Sequence, residues 1–264
     1  MNSYEIASAL LPPHMIFGSG RHPILLLCGF QAEHTCWRAV QHRLGKRFVT
    51  VAANNEGAGP TAFHDKALTI ERMAENAISF MRHLGHERFF LAGHSMGGAI
   101  AQVIAHRYPE FIRGLALCNT FRRVEASSLA FLTNILKSLE SGLDPILARQ
   151  RLLTNIFSPS TLQKAARDAI AENQVRQQTG EVEGFRRQLE ALSFFDSRNW
   201  IGEIQVPAQI INSANDRPFF MSEAAIMSSD IKNARSILLP GGHASMIEQP
   251  RLMADALMSF FSDC

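Results

Sequence analysis

A serine, an aspartate and a histidine, far apart in the chain, stand in settings that could make a hydroxyl into a usable nucleophile. Ser95 lies in Gly93-His94-Ser95-Met96-Gly97, with a glycine two positions away on each side. A free hydroxyl attacks a carbonyl poorly; it needs a base, and the base needs an acid to orient it. His243 follows Pro240-Gly241-Gly242, a flexible loop able to bring an imidazole over a serine. Asp216 falls in the turn Ala214-Asn215-Asp216-Arg217-Pro218. The chemistry such a set supports is nucleophilic catalysis by the serine.

The surrounding elements decide whether the three can meet. Phe89-Phe90-Leu91-Ala92 reads as a short buried strand leading into the serine, and Gly97 to Ala105 as a helix leaving it. A serine on such a turn is strained and exposed at the top of a sheet, and small neighbours let strand and helix approach closely. The helix N-terminus then lies beside any negative charge that develops there. Pro207 to Ser213 and Ser236 to Leu239 are strand candidates ending just before Asp216 and His243. That places both at strand C-termini, where catalytic groups gather in open α/β sheets.

Further strand candidates are Ile24 to Cys28, Phe48 to Ala52 and Leu115 to Cys118. Helices are predicted from about Glu33 to Leu44 and from Ile70 to Leu84. In the second, Ile70, Met73, Ala77, Ile78 and Met81 share one face. Strands alternating with amphipathic helices predict a mostly parallel sheet with helices on both faces. From Phe121 to Asn199 the alternation stops. That stretch holds helix-forming runs (Leu129 to Leu139, Ile146 to Phe157, Thr161 to Gln178) punctuated by Gly142, Pro145, Pro159 and Gly180.

Composition narrows the class. A chain of 264 residues, 46% hydrophobic and 19% charged, suits one globular α/β domain with an insertion. A net charge of +2 without long basic runs argues against nucleic acid. His22, His64, His83, His86 and His106 lack metal-ligand spacing, so no metal is expected. The Gly57-Ala58-Gly59 loop has neither P-loop nor dinucleotide context, and no cofactor is expected. Cys28, Cys36, Cys118 and Cys264 show no disulfide framework. Met1 to Ile6 carries no basic region running into an apolar core, and no apolar run is long enough to span a bilayer. The expectation is a cytoplasmic enzyme.

From about Ile24 to Phe261 the chain resembles the α/β-hydrolase superfamily, in its first strand with Cys28-Gly29-Phe30, the elbow at Ser95, the Asp216 turn and the His243 loop. The resemblance implies Ser95 as nucleophile, His243 as general base and then acid, and Asp216 as the group fixing the imidazole tautomer. It implies an oxyanion hole from the backbone amides of Phe30 and Met96. Cys28 stands where the family usually has histidine, and Asn54 where many relatives have aspartate; the amide donor of Phe30 is unaffected. Glu125, the other carboxylate after a strand, falls several residues too late to be the acid. Residues 1–120 and 200–264 correspond to the hydrolase core and 121–199 to a helical cap, in which Phe131, Leu132, Leu136, Phe157, Leu192, Phe194 and Phe195 either face a pocket or pack the cap.

The resemblance implies a carboxylic ester, or related acyl bond, of a small to medium apolar substrate. Gln31-Ala32-Glu33 before Trp37 is similar to carrier-protein methyl esterases of biotin synthesis, and Arg122, Arg123, Arg149, Arg151, Arg186 and Arg187 could meet an acidic acyl carrier protein. A carbon–carbon or enol-lactone hydrolase with the same triad is the second reading. A non-catalytic or slow-turnover ligand receptor on the same fold is the third.

Overall fold

Strands that are apolar at every position can be buried only in the middle of a sheet covered on both faces. In the computed structural model, which describes residues 11–59, 61, 67–163, 182–217 and 221–264, β2 (Pro23–Leu27) and β4 (Phe89–His94) are buried throughout and lie side by side. With β1 (His14–Phe17), β3 (Val49–Ala53), β5 (Ile112–Cys118), β6 (Ala208–Ser213) and β7 (Ala234–Leu239) they form a seven-stranded sheet in the order β1-β3-β2-β4-β5-β6-β7. Every pairing is parallel except β1 with β3.

The helices are α1 (Arg38–Leu44), α2 (Ile70–His83), α3 (Met96–Arg107), α4 (Ala126–Glu140), α5 (Pro145–Ile156), α6 (Pro159–Gln163), α7 (Val182–Phe194), α8 (Met221–Asp230), α9 (Ser245–Glu248) and α10 (Pro250–Asp263). Strand alternation sends Leu25, Leu27 and Leu91 into a core with α2 and α3, and Ile24, Leu26 and Phe90 into a second core with α1 and α10. Thr69 caps α2 by accepting a hydrogen bond from the Arg72 amide at 3.1 Å. The register aligns Leu27 with Gly93, His94 with Cys118 and Ser213 with Leu239, so these strands end level and their loops emerge along one edge.

Between β5 and β6 the described residues form α4 to α7, and one antiparallel bridge, Arg123 to Asp196, closes the base of the insertion. Leu132, Ile135, Leu136, Ala148, Leu152, Phe185 and Leu189 make its apolar centre. The helix expected over Thr161 to Gln178 is described only through Gln163; its remainder, Gly180, His64, Pro218 and Met1 to Ile6 lie outside the described residues. Besides α8 to α10, which were not among the predicted elements, two others depart from the sequence reading. The segment read as one helix from Glu33 is a 3-10 turn (His34–Trp37) followed by α1. The edge strand β1, half-buried and short, has no burial alternation to announce it. Among the described residues no helix is long and apolar enough to cross a membrane.

Candidate active site

The turn from β4 into α3 holds Ser95 at φ 54° and ψ −119°, a conformation strained for any residue but glycine. Its neighbours explain why glycine recurs there. A Cβ on Gly93 would lie 2.2 Å from the Gly97 carbonyl oxygen, and one on Gly97 would lie 2.5 Å from that of Leu27. The strained residue is tied down on both sides: its amide donates to the Cys118 carbonyl at 3.0 Å, and Thr120 Oγ1 donates to its carbonyl at 2.7 Å. Ser95 was expected to be exposed; it is only 5% accessible, because residues of α4, α5 and α7 roof the space above it.

The aspartate and histidine meet. His243 Nδ1 lies 3.0 and 3.1 Å from the two carboxylate oxygens of Asp216, and Asp216's side chain is fully buried. A carboxylate accepts, so Nδ1 carries the hydrogen and Nε2 is left as the basic nitrogen. Glu125 instead immediately precedes α4, and Asp216 is the carboxylate set against the imidazole.

Two residues that sequence reasoning did not single out hold this pair. Asn119, just after β5 at φ 44°, donates from Nδ2 to Asp216 Oδ2 at 2.8 Å. Its Oδ1 accepts from Ser245 Oγ at 2.6 Å and Ser213 Oγ at 3.3 Å, joining the acid turn to the residues beyond His243. Glu248 gathers donors from the Gly242 amide at 2.7 Å, the Ser158 amide at 3.2 Å, and the Ser158 and Thr161 hydroxyls. It thereby fastens the histidine loop to the insertion. The only sequence signal for either was a polar residue at a strand or helix end.

His94 lines the space beside Ser95, packs its ring 4.8 Å from that of His243 and places Nε2 2.8 Å from the His243 carbonyl oxygen. Burial holds its pKa well below the ordinary histidine value, the neighbouring imidazole adds to this, and the carbonyl contact opposes it. The ring is neutral, and Nε2 donates.

On the other side of Ser95 runs the loop after β2. Gln31, at φ 52°, and Gln188 of α7 share two buried contacts: the Gln31 amide donates to Gln188 Oε1 at 2.8 Å, and Gln31 Nε2 donates to the same oxygen at 3.0 Å; Gln188 Nε2 in turn donates to the Glu56 carbonyl at 2.8 Å. Phe30 lines the space above Ser95 and packs edge-on against Phe185 at 4.7 Å. Met96 is the first residue of α3, where an amide has no partner within the helix. Cys28, in the usual histidine position, is a buried thiol 3.8 Å from the Cys36 sulfur; that contact and burial push its pKa well up, so it stays protonated.

Phe30, His94, Ser95 and His243 border one cavity, about 870 Å³ of empty space including its open mouth. Of the aromatic and aliphatic residues predicted for the helical segment, Phe131, Leu132 and Leu192 face it. Leu136, Phe157 and Phe195 pack elsewhere, and Phe194 points to solvent. The arginines divide too. Arg122 pairs with Glu223 and Asp230, Arg123 with Asp196, Arg186 with Glu140 and Glu183, and Arg187 with Glu183. Arg151 borders a surface groove with Lys137, and Arg149 lines the cavity itself. Among the described residues no three His, Cys, Asp or Glu side chains converge as a metal site requires.

A family model for the alpha/beta hydrolase fold matches residues 22–250. The chain belongs to the α/β-hydrolase fold family. Among relatives of this α/β-hydrolase, a 3-oxoadipate enol-lactonase of Acinetobacter baylyi is 24% identical over 91% of this chain and 89% of its own. A pyrrolizixenacetamide deacetylase of Xenorhabdus hominickii is 25% identical over 98% and 97%. The fold superimposes on a thermophilic esterase from Thermogutta terrifontis with a TM-score of 0.85, at 21% identity over 95% of this chain and 93% of that one. The relatives are hydrolases, and this chain is a hydrolase of the same fold.

Proposed function

We propose that this α/β-hydrolase is a serine esterase acting on a small to medium, largely apolar acyl substrate through an acyl-enzyme on Ser95. The observation that carries the reading is the strained Ser95 sharing one cavity wall with an imidazole whose Nδ1 is fixed by Asp216. His243 Nε2 takes the hydroxyl proton as Ser95 Oγ attacks the carbonyl carbon. The oxyanion is held by the amides of Phe30 and Met96. His243 then protonates the leaving alcohol, and a water it activates releases the acid. Residues 121–199 act as the cap that excludes water and shapes the acyl site. The four free thiols suit a reducing compartment, and we place the enzyme in the cytoplasm.

An enol-lactone is a cyclic ester open to the same steps, and the enol-lactonase among the relatives favours it as the second substrate class. The test is turnover of a chain-length series of p-nitrophenyl esters by wild type and Ser95→Ala. Rapid, serine-dependent turnover with a chain-length optimum is expected. Equal background rates in both proteins contradict the reading, and tight retention of a ligand without multiple turnover replaces it with a receptor.

A further inference from the structure

Attack on an ester needs no fixed cation, yet the cavity has one. Among the described lining residues Arg149 alone carries a permanent charge; Leu132, Leu152, Leu153, Ile156 and Leu192 are typical of the rest. Taking a guanidinium out of water costs free energy, and a site that holds one beside apolar walls is suited to an anion that enters with a substrate. Here Arg149 Nε is sealed from solvent. Burial is the main influence on the group and lowers its pKa to about 10, which still leaves it charged at neutral pH. Glu33 stands near it; burial pushes that carboxyl's pKa up while Arg149 draws it down. The five N–H donors of a guanidinium suffice for a resident carboxylate and an incoming one.

Helix α5 fixes where the charge sits. Arg149, Leu152, Leu153 and Ile156 recur at helical spacing along one face, all lining the cavity. The Ile156 carbonyl accepts from the amide of Ala244, next to His243, at 3.2 Å. Arg149 precedes Ile156 by seven residues, roughly 10 Å along the axis at 1.5 Å per residue. One end of this face therefore touches the histidine loop and the other presents a cation, with apolar side chains between.

We propose that Arg149 binds a carboxylate at the far end of the substrate, so that the preferred substrate is an ester or lactone of an ω-carboxylated chain with several methylenes between the two groups. The planar guanidinium pairs with a carboxylate through two parallel hydrogen bonds, and its remaining N–H donors are left for Glu33. This rests on the serine-esterase reading above for what happens at the other end.

The experiment compares monomethyl adipate with methyl hexanoate, and monomethyl suberate with methyl octanoate, in wild type, Arg149→Leu and Arg149→Lys. Calorimetric binding of adipate and suberate to the same three proteins accompanies it. The expected result is a kcat/KM ratio of acid ester to neutral ester above about 10 in wild type, at one or both lengths. In Arg149→Leu that ratio falls at least 10-fold, mostly through KM, with partial retention in Arg149→Lys and parallel loss of dicarboxylate binding. A ratio and a dicarboxylate affinity that Arg149→Leu leaves as in wild type overturn the proposal. So does a wild type that prefers the neutral esters and binds neither diacid. If Ser95→Ala hydrolyses esters as wild type does while carboxylate binding still depends on Arg149, the serine-esterase reading fails and the carboxylate site at Arg149 stands without it.

Discussion

The C-terminal edge of the sheet and the helical segment between β5 and β6 share one cavity but are built by different means. The edge is held by backbone: Ser95 in a strained conformation, Gly97 against the Leu27 carbonyl, and Asn119 in the left-handed region with its amide bonded to Ile211 at 2.8 Å. The segment is held by side chains, with Leu132, Leu136, Leu152 and Phe185 packed inside and ion pairs such as Arg187 with Glu183 at 2.7 Å outside. Backbone constraints of the first kind admit few substitutions, whereas a packed centre accepts hydrophobic exchanges of similar volume. Under the proposed function, the difference separates reaction chemistry from substrate choice: changes at the edge should strike kcat, and changes in the segment should redirect preference.

The largest effects should fall on the pair behind the serine. His243→Ala and Asp216→Asn are each expected to lower kcat by about 10⁴-fold or more, while Glu125→Gln stays near wild type, all in steady-state ester assays. An equal loss in Glu125→Gln would move the acid into the helical segment and erase the division. Asn119→Ala removes a donor to Asp216 and two acceptor contacts that order the acid turn and histidine loop. We expect a kcat loss of about 10²-fold with KM little changed, since positioning rather than substrate contact is lost. A KM effect instead would place Asn119 on the substrate side.

Gly97→Ala probes the edge through stability. Its Cβ would meet backbone, which cannot swing aside, and an overpacking cost of about 1–3 kcal/mol should appear in denaturant unfolding. The smallest effect is a pH slope. His94 is held neutral, with its folded pKa below the unfolded value of 6.5. The unfolded chain therefore binds the proton first. The stability His94 contributes is complete above pH 6.5 and is lost as pH falls from there through the lower folded pKa. Thermal melts across that window should show a shallower acid limb in His94→Asn than in wild type.

Much of the edge was legible in the sequence because its demands are local. Glycines at 93 and 97 and apolar runs ending at Ser95, Asp216 and His243 are each read within a few residues. Strands β2 to β7 were found within a few residues of their ends, β2 and β4 most readily because a doubly covered strand must be apolar throughout, whereas β1 was not found. What escaped depends on contacts between distant segments. Asn119 meets Asp216 across 97 positions, Gln188 meets Gln31 across 157, and Glu248 meets Ser158 across 90. Arg149 looked like five other arginines; only the fold turns it into the cavity.

The most direct measurement of the central claim is the mass of the intact protein, followed by peptide mapping, after exposure to a fluorophosphonate and after rapid quenching with a p-nitrophenyl ester. The account predicts one covalent adduct per chain in both cases, mapped to Ser95, absent from Ser95→Ala, and formed far more slowly in His243→Ala. An unmodified Ser95 in a protein that still turns the ester over, or an adduct on another residue, contradicts it.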